Sequence, residues 1–266
     1  MHLFQTKHEL WLHLLFSSFA IKDPLIKEKL YEFSQIAFRH LKWIAKACKE
    51  NNIYYHYERS SMEIKHTDVF LTLRHLKEKI NDVHHDDNEL GFRIREDHNY
   101  FISVIDIWLN DLTCNANITA FDKNLSYQDK ALTQEQRDAL ILFLFEETYK
   151  EYELVMIYFY MQNYTDSLLH FDVYQDLIDE SQFHLKSFGN MLAELGLLAI
   201  PREVHEMSYK ITDLRAFILN GIDEELNAKE ECRKLAEAVQ EPELSTFFNF
   251  INYQENYHIE LMKKLL

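Results

Sequence analysis

Glycine and proline are scarce in this chain, with four and three among 266 residues. Sheets and loop-rich folds need such residues at each reversal, so their scarcity excludes both and leaves long helices joined by few turns. The three cysteines, Cys48, Cys114 and Cys232, are far apart and odd in number, and no Cys-x-x-Cys occurs. That excludes a disulfide framework or a zinc ribbon, and a reducing cytoplasm is the expected compartment. Basic charge is also short, with 28 Lys and Arg against 44 Asp and Glu and a net charge of −16. Phosphate backbones and anionic membrane surfaces attract cations, so neither nucleic acid nor a membrane is an expected partner. No run of ~18 uncharged apolar residues exists to span a bilayer. The opening MHLFQTKHELWLHLLFSSF lacks a basic start and a small-residue cleavage site, so no signal peptide is expected. A Gly-rich phosphate loop, Gly-x-Ser-x-Gly and His-Glu-x-x-His are all missing, which removes support for nucleotide use and nucleophilic hydrolysis.

What remains is helical periodicity along most of the chain. The expected helices cover about 3–20, 24–49, 63–84 and 88–111, then 133–162, 166–195, 212–239 and 243–266. Lys22-Asp23-Pro24 marks the first turn, and Asn51 to Ser61 forms a polar, aromatic connection. His84-His85 and Asp86-Asp87 read as solvated turn residues. Thr133 with Gln136 three residues on is a helix-start signature. The period is lost over 112–132. The fold class is therefore all-α, with a helical domain over 1–111, a linker over 112–132 and a second four-helix domain over 133–266. A shift of 144 residues lays His8-Glu9-Leu10 on Tyr152-Glu153-Leu154 and His40 on His184, a faint internal repeat.

Apolar stripes should not contain carboxylates unless something compensates them, because an unpaired buried charge costs several kcal/mol, on the order of ion desolvation. In the second half every stripe breaks this rule. The last helix reads Leu244, Phe248, Ile251, Glu255, His258, Met262, and the i, i+3 spacing puts Glu255 and His258 on one face. The helix before it reads Ile218, Gly221, Glu225, Ala228, Cys232. The helix over 166–195 reads Leu177, Glu180, His184, Phe188, and that over 133–162 reads Leu144, Glu147, Glu151, Leu154. Glu147 lies 18 residues before Thr165 and His184 lies 19 after it, so the two are expected at one height. The expected inward set is Glu147, Glu180, His184, Glu225, Glu255 and His258, four carboxylates and two imidazoles suited to two divalent metals such as iron or manganese. Glu151 and Glu153 are expected at the surface or outside the ligand shell. The plainer reading of each histidine is a core imidazole bonded to a carboxylate.

Glu225, Glu255-x-x-His258 and the acid–histidine pair before Phe188 together make the second half resemble the ferritin-like di-iron or di-manganese superfamily. The resemblance implies two tandem ferritin-like four-helix bundles. Glu147 and Glu225 would be the single-helix carboxylates, with Glu225 and Glu180 as bridges. Ser181 departs from the pattern, standing where a Glu three before His184 belongs. The implied activity is that of an oxidoreductase using oxygen or peroxide, or handling iron, with a small molecule or a metal ion as substrate. The alternative is a non-enzymatic structural, stress or coat protein that keeps the fold with a degenerate site. In the first half Ala37 and Arg95 replace the acids expected before His40 and His98, leaving Glu9, His40, His75, Asp97 and His98 as scattered candidates. That half is expected to be structural or to form a homodimer or small homo-oligomer.

Overall fold

A computed structural model describes residues 2–59, 62, 64, 68–84, 86–111, 127 and 129–266. Nearly all of the expected linker, with Cys114, lies outside the described residues. Among the described residues the regular structure is helical, apart from isolated bridge residues at Ile21 and Asp68. The helices are α1 (His2–Ala20), α2 (Pro24–Glu50), α3 (Val69–Asn81), α4 (Glu89–Asp111), α5 (Gln134–Tyr164), α6 (Leu168–Glu194), α7 (Glu206–Tyr209), α8 (Leu214–Val239) and α9 (Pro242–Lys263). The short α7 is new relative to the sequence expectation, and α3 begins at Val69 because Asp68 caps it there.

The ends of these helices are set by local chemistry. Asp23 accepts from the amides of Leu25 and Ile26, both at 3.0 Å, and Pro24 needs no donor partner at the first position. Thr133 accepts from the Gln136 amide at 3.3 Å while its own amide donates to Gln136 Oε1 at 2.8 Å. That reciprocal pair starts α5 and contributes about 1 kcal/mol. Gln136 also donates to the Val239 carbonyl at 2.6 Å, which ties the start of α5 to the end of α8.

The chain divides into two compact units. The first comprises 1–123 with 196–203, and the second 124–195 with 204–266. In the first, α1 runs along α2 and α3 along α4, while α1 also touches α3 and α2 touches α4. Every residue from Leu10 to Ile21 is buried, which is why α1 has no polar face. The connection after α2 packs Tyr55 and Tyr57 on Phe4, with ring centres 4.4 and 5.9 Å away. Arg59 donates to the carbonyls of Pro201 and Arg202, fastening the returning 196–203 segment. The second unit repeats the pairing: α5 with α6, α8 with α9, then α5 with α8 and α6 with α9.

Gly91 on α4 has no room for a side chain, because a Cβ there would lie 2.0 Å from the Asp86 carbonyl oxygen. The clash is with backbone, so it outweighs the gain of about 1 kcal/mol that alanine brings to a helix. Gly91→Ala should destabilise the first unit by roughly 1–3 kcal/mol. All three tryptophans, Trp11, Trp43 and Trp108, lie in that unit, so tryptophan fluorescence during urea unfolding reads it alone. An unchanged midpoint would refute the steric argument.

Candidate metal centre

In the second unit α5, α6, α8 and α9 each carry acids or histidines into the interior. His184 is fully buried; Glu255, His258, Glu151, Glu147 and Glu225 are 4, 3, 6, 7 and 8% exposed. Two groups offer ligand atoms within 4.8 Å of one another: Glu180, His184 and His258, and Glu225, Glu255 and His258.

The two imidazoles have distinct edges. His184 Nδ1 donates to Glu151 Oε1 at 2.8 Å and lies 4.0 Å from Glu255 Oε1. His258 Nδ1 lies 2.8 Å from Glu255 Oε2 and 3.7 Å from Glu225 Oε1. One carboxylate, Glu255, thus presents one oxygen to each Nδ1. On the opposite edges, His184 Nε2 donates to Gln254 Oε1 at 3.2 Å, Gln254 donates to Glu180 Oε2, and that oxygen is 4.0 Å from His258 Nε2. The ring centres of the two histidines are 5.2 Å apart. Several buried atoms lack a hydrogen-bond partner: Glu151 Oε2, Glu255 Oε2, His258 Nε2 and the Tyr158 hydroxyl. The 2.8 Å contact between Glu255 and His258 is therefore an ion pair without hydrogen-bond alignment.

Electrostatics follow from this crowding. Burial alone would lower both histidines, yet the carboxylates override it. Glu151 and Glu255 push His184 up to about 9, and Glu225 and Glu255 push His258 up to about 11. Burial raises Glu255 to about 8 against the pull of His258. Burial would raise Glu225 too, but its close approach to His258 and the positive charges of His258 and His184 hold it below the usual carboxylate range. Near neutral pH both imidazoles are therefore held protonated, while burial works against ionisation of Glu255.

Glu147 stands apart from this set. Its Oε1 accepts from Lys150 at 2.6 Å, and burial lifts it to about 7. Its neighbour one turn on, Glu151, meets His184. Counting residues from the turn places Glu147 level with His184, but side chains lean toward the N-terminus of their own helix. On α5 that lean points away from the turn, and on α6 it points toward it. The partner of His184 must therefore sit closer to the turn than His184 does. Gln254 escaped sequence reasoning because it lies one position off the stripe; its link to both His184 and Glu180 depends on packing.

The first unit builds a different core at the corresponding place. Lys7 is fully buried and donates to His98 Nε2 at 2.6 Å. His40 Nε2 donates to Asp97 Oδ2 at 2.9 Å, and the His40 and His98 rings are 5.8 Å apart. His75 meets His13, with ring centres 5.1 Å apart, and Glu9 is partly exposed. The 144-residue shift that lays His40 on His184 also lays Lys7 on Glu151. An amine thus takes the place of a carboxylate, a signal that was readable in the repeat.

Comparison with protein-family models, with curated proteins and with solved structures finds no match for this chain.

Burial lowers Lys7 to about 6, only partly offset by Asp97. Between about 6 and the ordinary value of 10.5 the unfolded chain holds a proton that the folded unit does not. Stability of the first unit should therefore rise with pH across that window, on the order of 1 kcal/mol per pH unit. Lys7→Met should remove this dependence and stabilise the unit most at about pH 6, with the gain shrinking toward pH 10. Urea unfolding followed by tryptophan fluorescence at several pH values tests it; a gain independent of pH would contradict the buried-amine account.

Proposed function

We propose that the second unit is a ferritin-like four-helix bundle of α5, α6, α8 and α9 that holds a pair of iron or manganese ions. In this reading the chain is a tandem of two such bundles, the first with its ligands exchanged for Lys7, His98, His40 and Asp97. The observation that carries the proposal is the convergence of two imidazole Nδ1 atoms on the two oxygens of Glu255, each flanked by another buried carboxylate. Carboxylates suit hard ions and can span two of them, and imidazole suits iron and manganese. The unpartnered buried oxygens of Glu151 and Glu255 fit the same reading, since buried polar atoms ordinarily have partners.

The ligands in this reading are Glu151, His184, Glu255, Glu225 and His258, with Glu255 as the bridge. Gln254 holds the Nε2 edge of His184 and so orients that ring, the role that outer groups commonly play for metal-bound histidines, and Glu180 in turn accepts from Gln254. Glu180 is less suited to ligation because Gln254 already donates to it and its side chain is 26% exposed. Glu147 keeps Lys150. When bound, such a metal pair supplies electron exchange with oxygen or peroxide, which makes an oxidoreductase the leading activity. The protein's own part is to hold five donors at fixed positions and to orient the His184 ring through Gln254. A non-enzymatic helical protein is the second reading, favoured by the small Ser181 hydroxyl where a second bridging carboxylate would stand.

Elemental analysis after anaerobic loading of the whole chain separates these. Wild type should carry about two iron or manganese ions per chain, and Glu255→Ala/His258→Ala should carry none. Glu151→Ala should lose about half the metal and Glu147→Ala almost none, as expected for a first ligand and a bystander. A wild-type chain that takes up no metal would leave only the structural reading.

A further inference from the structure

The second unit contains a cavity of about 690 Å³ bounded by α5, α7, α8 and α9, and it reaches Glu151, Glu225 and Glu255. Three features define what it can hold. First, its size falls within the few hundred to about 1,000 Å³ typical of organic ligands and is far more than an ion needs. Second, its walls carry eight glutamates and two lysines, and those lysines are already engaged, Lys150 by Glu147 and Glu146, Lys234 by Glu230. Exposed Glu224 and Glu231 stand at the outer part and no arginine lines the wall, so an anion would meet net repulsion. Third, the acidic groups are interleaved with apolar side chains, Leu154, Ile157, Phe217 and Met262.

An acidic lining alone is common on solvated surfaces. Here a second observation points to an occupant. Tyr158 lines the cavity, is 1% exposed, and its hydroxyl has no hydrogen-bond partner. The hydroxyl is near enough to Glu225, Glu151 and Glu255 to sense their charges, so it lies at the inner end. A buried hydroxyl without a partner costs about 1–3 kcal/mol unless a ligand or water supplies one.

We infer that this cavity is the binding site of a small organic cation, an amine with an apolar stem, whose ammonium lies at the inner end and donates to the Tyr158 hydroxyl, and whose stem runs outward past Leu154, Phe217 and Met262. Calling that molecule a substrate rests on the dimetal reading above; its binding does not.

The test is isothermal titration of the full-length, metal-free chain with hexylamine, using methylammonium, hexanol and hexanoate as matched probes. Hexylamine should bind at least tenfold more tightly than any of the three, because only it combines a positive charge with the stem. Gly221→Leu adds bulk to the wall beside Met262, whose Cε would lie 3.1 Å from a Cβ at that position. It should weaken hexylamine at least tenfold while leaving all carboxylates in place. Tyr158→Phe, which removes the hydroxyl alone, should weaken it several-fold. Equal binding of hexylamine and hexanol, or of hexylamine and methylammonium, would overturn the inference, as would binding that neither variant changes. Metal content measured on the same preparations keeps the two readings apart. Absent hexylamine binding with metal uptake intact overturns the amine site alone, and selective hexylamine binding by a chain that takes up no metal supports the site while removing the dimetal reading.

Discussion

A carboxylate taken out of water must find positive charge, and in the second unit this requirement converges on Glu255. It is 4% exposed and stands between two imidazoles, one oxygen toward each. Each imidazole is held in turn: His184 by Glu151 and Gln254, His258 by Glu225 and, more distantly, Glu180. Removing any member leaves a buried charge without its partner, which costs several kcal/mol by the usual order for broken buried pairs. The spacing and pairing of α5, α6, α8 and α9 are therefore tied to the cluster as much as to the apolar core around it.

The two units answer one packing problem with opposite charges. Both pair their helices in the same pattern, and both bury histidines on the second and last helices of that pattern. In the second unit Glu151 faces His184, and the cluster is rich in anions that call for cations. In the first, Lys7 stands at the place corresponding to Glu151, and burial drives its amine toward neutrality beside His98. The two cores thus carry charge of opposite sign at this corresponding position. His40 follows the same logic, since burial and Lys7 hold it down to about 4 despite Asp97.

Packing between helix pairs is uneven in the second unit. Contacts are extensive within the α5–α6 and α8–α9 hairpins, and much thinner between α5 and α8. That thin seam is where the cavity opens and where it reaches Glu225 and Glu255. Glu151, Tyr158, Gly221 and Met262, from three helices, all line it. The acidic seam gives physical content to the chain's large negative charge, which composition alone relates to no particular surface.

Helix positions were legible in the sequence because they depend on local effects: Asp23 with Pro24, Thr133 with Gln136, and Glu241 with Pro242 act over three or four residues. The inward placement of Glu225, Glu255, His184 and His258 was legible too, since a charge on an apolar stripe marks itself. The short α7 was not, because four residues carry too little period. Nor were the choice of Glu151 over Glu147 as the partner of His184, the insertion of Gln254, or the neighbours of Lys7. These depend on the lean of side chains across antiparallel helices and on which face of each helix meets the next. Periodicity along one chain determines the face of a helix; only packing among helices decides the height at which two faces meet.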